Sequence, residues 1–187
     1  MHVFGRNIPN MLSISRIPIA AAFLVAFDPG DTRRFWTAMG LLFVAIVTDV
    51  LDGRIARSYR LSSRTGYFLD GIGDKVVYAA ILMVIFREDR QQNLIPWLLV
   101  AREIILYALR AISGGDLVTL ARLRSLSLIY ALLIRFYFLA FFVNQARVLF
   151  PSENLPSIEW YGLFGCMAAA VGYFYILLLV RPMATQV

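Results

Sequence analysis

The chain has 187 residues, of which 60% are hydrophobic and 14% aromatic, and its formal net charge is +6. This composition lies far outside that of soluble domains and indicates a membrane protein. The single cysteine, Cys166, excludes an internal disulfide, and the single histidine, His2, argues against histidine chemistry. Lys75 is the only lysine, and the arginines flank apolar segments, which favours anionic lipid and phosphate groups over nucleic acid as partners.

Six segments have roughly the twenty residues that a bilayer requires of a spanning helix. They are Pro9–Phe27, Phe35–Tyr59, Ser62–Phe86, Leu94–Ser113, Ser125–Leu149 and Ser157–Arg181. We therefore predict an all-α integral membrane protein with six transmembrane helices in a single domain, residues 1–187. We also expect the N-terminus to be retained, because a polar stretch precedes the first apolar run and no small-residue cleavage pattern follows it.

The first three spans are each apolar at one end and polar at the other. Span one is polar at its start, span two is acidic at its end, and span three is acidic at its start. Because successive helices alternate in direction, these polar ends fall on one side of the membrane, where they must face each other or water. Arginines near span ends are more numerous on this side, so the positive-inside rule places it in the cytoplasm. We expect a polar cavity that faces the cytoplasm.

Four of the twelve acidic residues lie between positions 49 and 74. Asp49 and Asp52 are three residues apart, and Asp70 and Asp74 are four apart, so each pair shares one face of a helix. Two antiparallel helix ends can bring the pairs together, and the repulsion between them favours divalent cations as occupants. Ligation by oxygen alone favours Mg²⁺ or Mn²⁺ over zinc. All four aspartates are therefore candidate metal ligands.

The spacing of this stretch is D-x2-D-G-x2-A-R-x8-G-x3-D-x3-D. The residues that fill it are Asp49, Asp52, Gly53, Ala56, Arg57, Gly66, Asp70 and Asp74. The pattern matches the signature of the CDP-alcohol phosphotransferase family, which the chain therefore resembles. The resemblance implies an integral membrane enzyme, usually a homodimer, that transfers a phosphatidyl or phosphoalcohol group from a CDP-linked donor to an alcohol and releases CMP.

The resemblance also implies roles for the residues of the motif. Asp49, Asp52 and Asp70 would bind two metal ions, and Asp74 would complete the site and accept the proton of the acceptor hydroxyl as a base. Paired metals would neutralise the diphosphate and stabilise charge on the attacking and leaving oxygens. The residues expected to border the CDP group are Gly53, Ala56, Arg57 and Gly66. Close helix packing is the alternative role for the glycines, and membrane-surface anchoring is the alternative for the arginine.

Weaker signals concern the acceptor. Ile8–Arg16 and Ala101–Arg110 resemble segments of the phosphatidylglycerophosphate synthase branch of the family, and so does Ala121–Ser125, with two arginines in place of lysines. The stretch L-D-G-I-G-D-K differs from the L-D-P-x-A-D-K that is common in this branch. By this resemblance Arg110, Arg122 and Arg124 would bind an acceptor phosphate. The alternative is that these arginines only orient the protein in the membrane.

The leading interpretation is transfer from CDP-diacylglycerol to glycerol 3-phosphate, and the same motif fits inositol phosphate or phosphatidylglycerol as acceptor. An ion-coupled transporter is the alternative from another class. A transport pathway needs polar lining through the membrane, whereas spans two, three and six are apolar away from the motif, which favours the enzyme. A local structural ion pair is one interpretation of Arg102 and Glu103, and the sequence assigns no role to these two residues or to Arg135 in span five.

Overall fold

The structure is a computed structural model, and it describes residues 2–58, 64–112, 124–151 and 160–184. Over these ranges the chain forms six α-helices, one short 3₁₀ turn and no strand. The helices are α1 (His2–Ala26), α2 (Thr32–Ser58), α3 (Arg64–Glu88), α4 (Leu94–Ile112), α5 (Arg124–Leu149) and α6 (Tyr161–Ala184), and the 3₁₀ turn is Arg90–Gln92. The prediction of an all-α fold with six long helices is confirmed.

Three helices in the described part of the chain are long and apolar enough to cross a membrane by length and composition. Their spanning segments are Thr32–Arg54, Arg124–Leu149 and Tyr161–Val180. The apolar part of α1, Met11–Ala26, is shorter. Charged residues such as Asp74 in α3 and Glu103 in α4 interrupt two other helices. These features fit an integral membrane protein.

The chain forms two compact units, residues 1–84 and residues 85–187. The boundary lies inside α3, so no separate linker joins the units. In the first unit α1 packs against α2. Near the turn that joins these helices, the buried rings of Phe23, Phe27 and Phe35 form a chain with centroid distances of 5.9 and 5.8 Å. The assignment of the whole chain to a single domain stays a prediction.

The turn between α1 and α2 is closed by its own polar side chains. Asp31 is the N-cap of α2, since its Oδ1 accepts hydrogen bonds from the backbone N–H groups of Arg33 (2.8 Å) and Arg34 (3.2 Å). The Arg34 guanidinium donates to Asp28 Oδ2 at 2.7 Å and to the carbonyl oxygen of Val25 at 2.9 Å. This network fixes the reversal of chain direction between the first two helices.

In the second unit α6 packs against both α4 and α5. Small residues make this approach possible, because a Cβ added at Gly165 would lie 2.6 Å from Ile95 Cγ2 and 3.0 Å from Tyr137 Cε2. At Gly172, two turns further along α6, a Cβ would lie 3.0 Å from Arg102 Nε and 3.2 Å from Tyr130 Cε2. Close packing through small residues is the usual way in which membrane helices associate, since apolar side chains gain little by leaving lipid.

Candidate active site

Two helices of the first unit carry the acidic side chains that the structure describes in the motif. Asp49 and Asp52 lie on α2, and Asp74 lies on α3. The side chain of Asp52 is buried, whereas those of Asp49 and Asp74 remain 46% and 55% exposed. The cluster therefore has a buried side at Asp52 and an open side at the other two carboxylates.

The three carboxylates converge on the guanidinium of Arg16, which comes from α1. Nη1 of Arg16 donates to Asp49 Oδ1 at 3.0 Å and also to Asp74 Oδ1. Nη2 of the same group donates to Asp52 Oδ2. The Arg16 side chain is only 1% exposed, so it is a buried cation within the cluster. We call Arg16, Asp49, Asp52 and Asp74 the charge cluster.

Ser13 completes the buried side of the charge cluster. Its Oγ donates to Asp52 Oδ2 at 3.0 Å and accepts from Arg16 Nη2 at 3.4 Å. Ser13 and Arg16 are three residues apart on α1, and both are buried, so they present one face of the helix to the aspartates. Oδ2 of Asp52 thus accepts hydrogen bonds from both Ser13 and Arg16.

Gly73 provides the space in which α1 approaches α3. A Cβ added at this position would lie 2.9 Å from the carbonyl oxygen of Ser13 and 3.3 Å from Cζ of Arg16. A contact of 2.9 Å to a backbone atom cannot be relieved by turning a side chain. The glycine that directly precedes Asp74 therefore lets the Arg16 guanidinium reach the carboxylates.

The charge cluster carries three carboxylates against one guanidinium, which gives a formal charge of −3 + 1 = −2. Oxygen ligands and this charge fit a hard divalent cation such as Mg²⁺ or Mn²⁺. The side chains that the structure describes include no group of three or more His, Cys, Asp or Glu arranged to hold a metal ion. The carboxylates are instead arranged around Arg16.

The remaining motif residues lie on the same two helices. Gly53 follows Asp52 on α2 and is half-buried. Ala56 and Arg57 lie in the last turn of α2, and Gly66 lies in the first turn of α3. The side chains of Ala56, Arg57 and Asp70 are outside the described residues.

The predicted acceptor arginines belong to the second unit. Arg124 is the exposed first residue of α5. Arg110 lies in α4 and its side chain is outside the described residues, as is the whole of Arg122. Their binding role stays a prediction.

Arg102 and Glu103 form a local ion pair, which was one interpretation of the sequence, since Arg102 Nη1 contacts Glu103 Oε1. The hydroxyl of Tyr130 donates to the same oxygen at 3.2 Å, and the Arg102 guanidinium lies 3.8 Å from the centroid of the Tyr130 ring. Arg102 is 3% exposed. It is a second buried arginine, held by a carboxylate and an aromatic face.

Ser13 and Arg16 lie at the polar start of span one, and no role in the site was predicted for them. The polar ends of the first three spans were predicted to face each other or water, and the contacts of Arg16 with α2 and α3 confirm that they meet. The sequence feature that could have indicated this role is an arginine three residues after a serine, at the end of span one that lies on the motif side. Which face of α1 turns to the aspartates depends on tertiary packing.

Comparisons with known proteins agree with the motif. The family model described as CDP-alcohol phosphatidyltransferase matches residues 6–180. The chain is similar to proteins named CDP-diacylglycerol–glycerol-3-phosphate 3-phosphatidyltransferase from Haemophilus influenzae (39% identity over 107 residues) and Escherichia coli strain K12 (38% over 107 residues). It is also similar to the protein of that name from Rickettsia felis (30% over 105 residues).

Each of these matches covers 56% of this chain, and they cover 57%, 58% and 58% of the three relatives. The chain thus spans a little more than half the length of the curated relatives it matches. No solved structure matches it. Because the family model extends over nearly the whole sequence and includes all four residues of the charge cluster, the chain belongs to the CDP-alcohol phosphatidyltransferase family.

Proposed function

We propose that this protein is a membrane phosphatidyltransferase that moves the phosphatidyl group of CDP-diacylglycerol to glycerol 3-phosphate and releases CMP. The observation that carries the proposal is the convergence of Asp49, Asp52 and Asp74, from both halves of the family motif, in one charge cluster. The names of the relatives support glycerol 3-phosphate as the acceptor. Inositol phosphate and phosphatidylglycerol remain the alternative acceptors.

In this reaction a hydroxyl oxygen of glycerol 3-phosphate bonds to the phosphorus that carries the diacylglycerol. The bond from that phosphorus to the oxygen of CMP breaks, so CMP leaves with the bonding electrons. The hydroxyl proton goes to the carboxylate of Asp74. With 55% of its side chain exposed, Asp74 can be reached by an acceptor from the aqueous side.

The residues that would hold the metal are Asp49, Asp52, Asp70 and Asp74. A bound pair of divalent cations, Mg²⁺ or Mn²⁺, would neutralise the negative charge of the diphosphate. The chain's own contribution is to hold the carboxylates in place. Ser13 and Arg16 fix the buried Asp52, and the α1 face that carries them positions all three described aspartates. Such fixed positions supply much of the catalysis in phosphoryl transfer.

The substrate-binding residues are proposed from their motif positions and their charge. Gly53, Ala56, Arg57 and Gly66 would border the CDP group. The two glycines and the alanine would let the nucleotide approach the backbone, and the arginine would bind phosphate. Three arginines would bind the acceptor phosphate, since a guanidinium can donate two hydrogen bonds to phosphate. They are Arg110, Arg122 and Arg124.

The proposed setting is a cytoplasmic membrane, with the charge cluster on the cytoplasmic side and a polar cavity open to that side. The excess of arginine near the span ends on the motif side supports this orientation. Membership of the family supports a homodimer. The lipid donor would reach the site from the bilayer, and the water-soluble acceptor from the cytoplasm.

The test is an assay of CMP release by purified protein in detergent micelles with CDP-diacylglycerol and saturating Mg²⁺. Glycerol 3-phosphate, inositol phosphate, serine and phosphatidylglycerol are offered separately, and the lipid product is identified by mass spectrometry. We expect glycerol 3-phosphate to give the fastest release, and Asp70→Asn to abolish it. Faster CMP release with another acceptor would replace glycerol 3-phosphate as the proposed acceptor. No CMP release with any acceptor would refute the proposed phosphatidyl transfer.

A further inference from the structure

Arg16 occupies the centre of the carboxylates that the proposed function assigns to metal binding. We propose that Arg16 is a positioning residue that acts as the internal counter-ion of the charge cluster. It holds Asp49, Asp52 and Asp74 together before a divalent cation binds, and it competes with that cation for the exposed carboxylates. The inference rests on the proposed function only in taking the charge cluster as the cation site.

Burial explains why the cluster needs a counter-ion. Arg16 is 1% exposed and its partner Asp52 is 4% exposed at the side chain. A charge buried to this extent is strongly destabilising when its partner is removed. Asp49 Oδ1 and Asp74 Oδ1 both accept a hydrogen bond from the same Nη1 of Arg16, so without the guanidinium these two carboxylates would lie next to each other and repel.

The two ends of the guanidinium face different surroundings. Nη2 contacts the buried pair, Asp52 and Ser13, which anchors the arginine to the interior. Nη1 contacts the two carboxylates that are about half exposed. A cation that arrives from water reaches those two carboxylates first, so it competes with Nη1 while the Nη2 anchor stays in place.

Only the planar, forked guanidinium of arginine can contact the buried groups through one nitrogen and the exposed carboxylates through the other. Its two terminal nitrogens donate in fixed directions, whereas the ammonium of lysine is a single point charge. Gly73 is part of the same arrangement, because a side chain there would meet Cζ and Nε of Arg16 at 3.3 Å. The absence of a side chain at Gly73 thus leaves space for the Arg16 guanidinium between the first three helices.

The competition predicts opposite effects on stability and on metal affinity. In Arg16→Gln the metal-free cluster loses its counter-ion, so the protein should unfold at a lower temperature in EDTA. Saturating Mg²⁺ should restore most of the loss, because the cation then neutralises the carboxylates. By linkage, a cation that stabilises the variant more than the wild type also binds the variant more tightly.

The experiment measures thermal unfolding of the purified full chain in detergent, with EDTA and with saturating Mg²⁺, and Mn²⁺ affinity by electron paramagnetic resonance. We expect Arg16→Gln to bind Mn²⁺ about tenfold more tightly than the wild type, the order expected when one unit charge leaves a partly exposed site. The matched control is Arg102→Gln, which removes the buried arginine of α4 and its ion pair with Glu103. Its loss of melting temperature should be the same with and without Mg²⁺.

Equal losses for Arg16→Gln with and without Mg²⁺, or unchanged or weaker Mn²⁺ binding, would overturn the role of Arg16 while leaving the proposed function intact. A wild-type protein that binds no divalent cation would refute the cation site itself. If Arg16→Gln does not fold, Arg16→Lys keeps the charge and loses the fork. Its Mg²⁺-dependent rise in melting temperature should exceed that of the wild type, and an equal rise would overturn the proposal.

Discussion

Asp74 is the most exposed carboxylate of the charge cluster, and its contact with Arg16 Nη1 holds it at the open side. A base must be reachable by the hydroxyl it deprotonates, and this position meets that requirement. We predict that Asp74→Asn lowers the rate of CMP release by about 10²- to 10⁴-fold, the usual contribution of a general base. The variant should still bind CDP-diacylglycerol, because asparagine keeps the size of the side chain.

The control for Asp74→Asn is Glu88→Gln on the same helix. Glu88 forms its ion pair with the adjacent Arg87 and belongs to the other end of α3. Its neutralisation should leave CMP release unchanged. If Asp74→Asn also loses binding of the CDP-lipid, Asp74 holds metal and does not act as the base.

Gly73 and Gly71 lie two residues apart on α3, and they differ in what surrounds them. A Cβ at Gly73 would lie 2.9 Å from the backbone oxygen of Ser13, whereas one at Gly71 would meet no described atom within 4 Å. Gly73→Ala should therefore lower the free energy of unfolding by about 1–3 kcal/mol through overpacking. Gly71→Ala should be neutral or stabilising by up to about 1 kcal/mol, because alanine favours helix over glycine.

Chemical unfolding of both variants in detergent, followed by circular dichroism, measures the difference. The branch of the family that the chain resembles commonly has alanine at the position of Gly73, so this comparison tests whether α1 lies closer to α3 in this protein. Equal stabilities for the two variants would show that α1 moves away from α3 at little cost.

At the scale of helices, one face of α6 is built from small residues. Gly165, Ala168, Ala169 and Gly172 are all buried, and they recur at the spacing of one helix face. At Gly172 a Cβ would lie 3.0 Å from Nε of Arg102. The face therefore lets both α4 and α5 pack against α6, beside the contact of the Arg102 guanidinium with the Tyr130 ring.

We predict that Gly165→Ala destabilises the protein by about 1–3 kcal/mol, since the added methyl group would lie 2.6 Å from Ile95 Cγ2 and 3.0 Å from Tyr137 Cε2. The matched control is Gly40→Ala in α2, where a Cβ would meet no described atom within 4 Å. Unfolding in detergent should separate the two variants. A loss at Gly40 as large as that at Gly165 would mean that helix geometry, and not packing of α6, sets the cost.

The existence of these helices and most of their ends, to within a few residues, could be predicted from the sequence, but the start of α1 and the contacts between helices could not. Hydropathy places the start of span one at Pro9, whereas α1 begins at His2, because hydropathy detects the part that lipid can cover and a helix can continue into polar sequence. The aspartates were predictable as a group because their spacing defines a shared face. The partnership of Arg16 with three of them depends on how α1 rotates against α2 and α3, which periodicity alone does not determine.

At the scale of the whole molecule, the positive-inside rule predicts the orientation of the chain in the membrane from its charges. The net charge is +6, and the arginines near span ends are more numerous on the motif side. In the described part of the chain, α3 and α4, which contain Asp74 and Glu103, are not among the helices that qualify as spans by length and composition. Their polar groups can be accepted in a bilayer only where they face protein or water. Whether α3 and α4 cross the membrane is therefore the main question of topology.

Two exposed positions can answer that question, Thr32 at the start of α2 and Ser125 at the start of α5. Three helices, α2, α3 and α4, lie between them in sequence, so the two positions are on opposite sides if all three cross. In a Cys166→Ala background, we predict that a membrane-impermeant maleimide labels Thr32→Cys from outside the cell. Ser125→Cys should be labelled only after permeabilisation or in inverted vesicles, because the positive-inside rule puts its side in the cytoplasm. The reverse pattern would place the charge cluster outside, and labelling of both positions from one side would show that an even number of these three helices crosses.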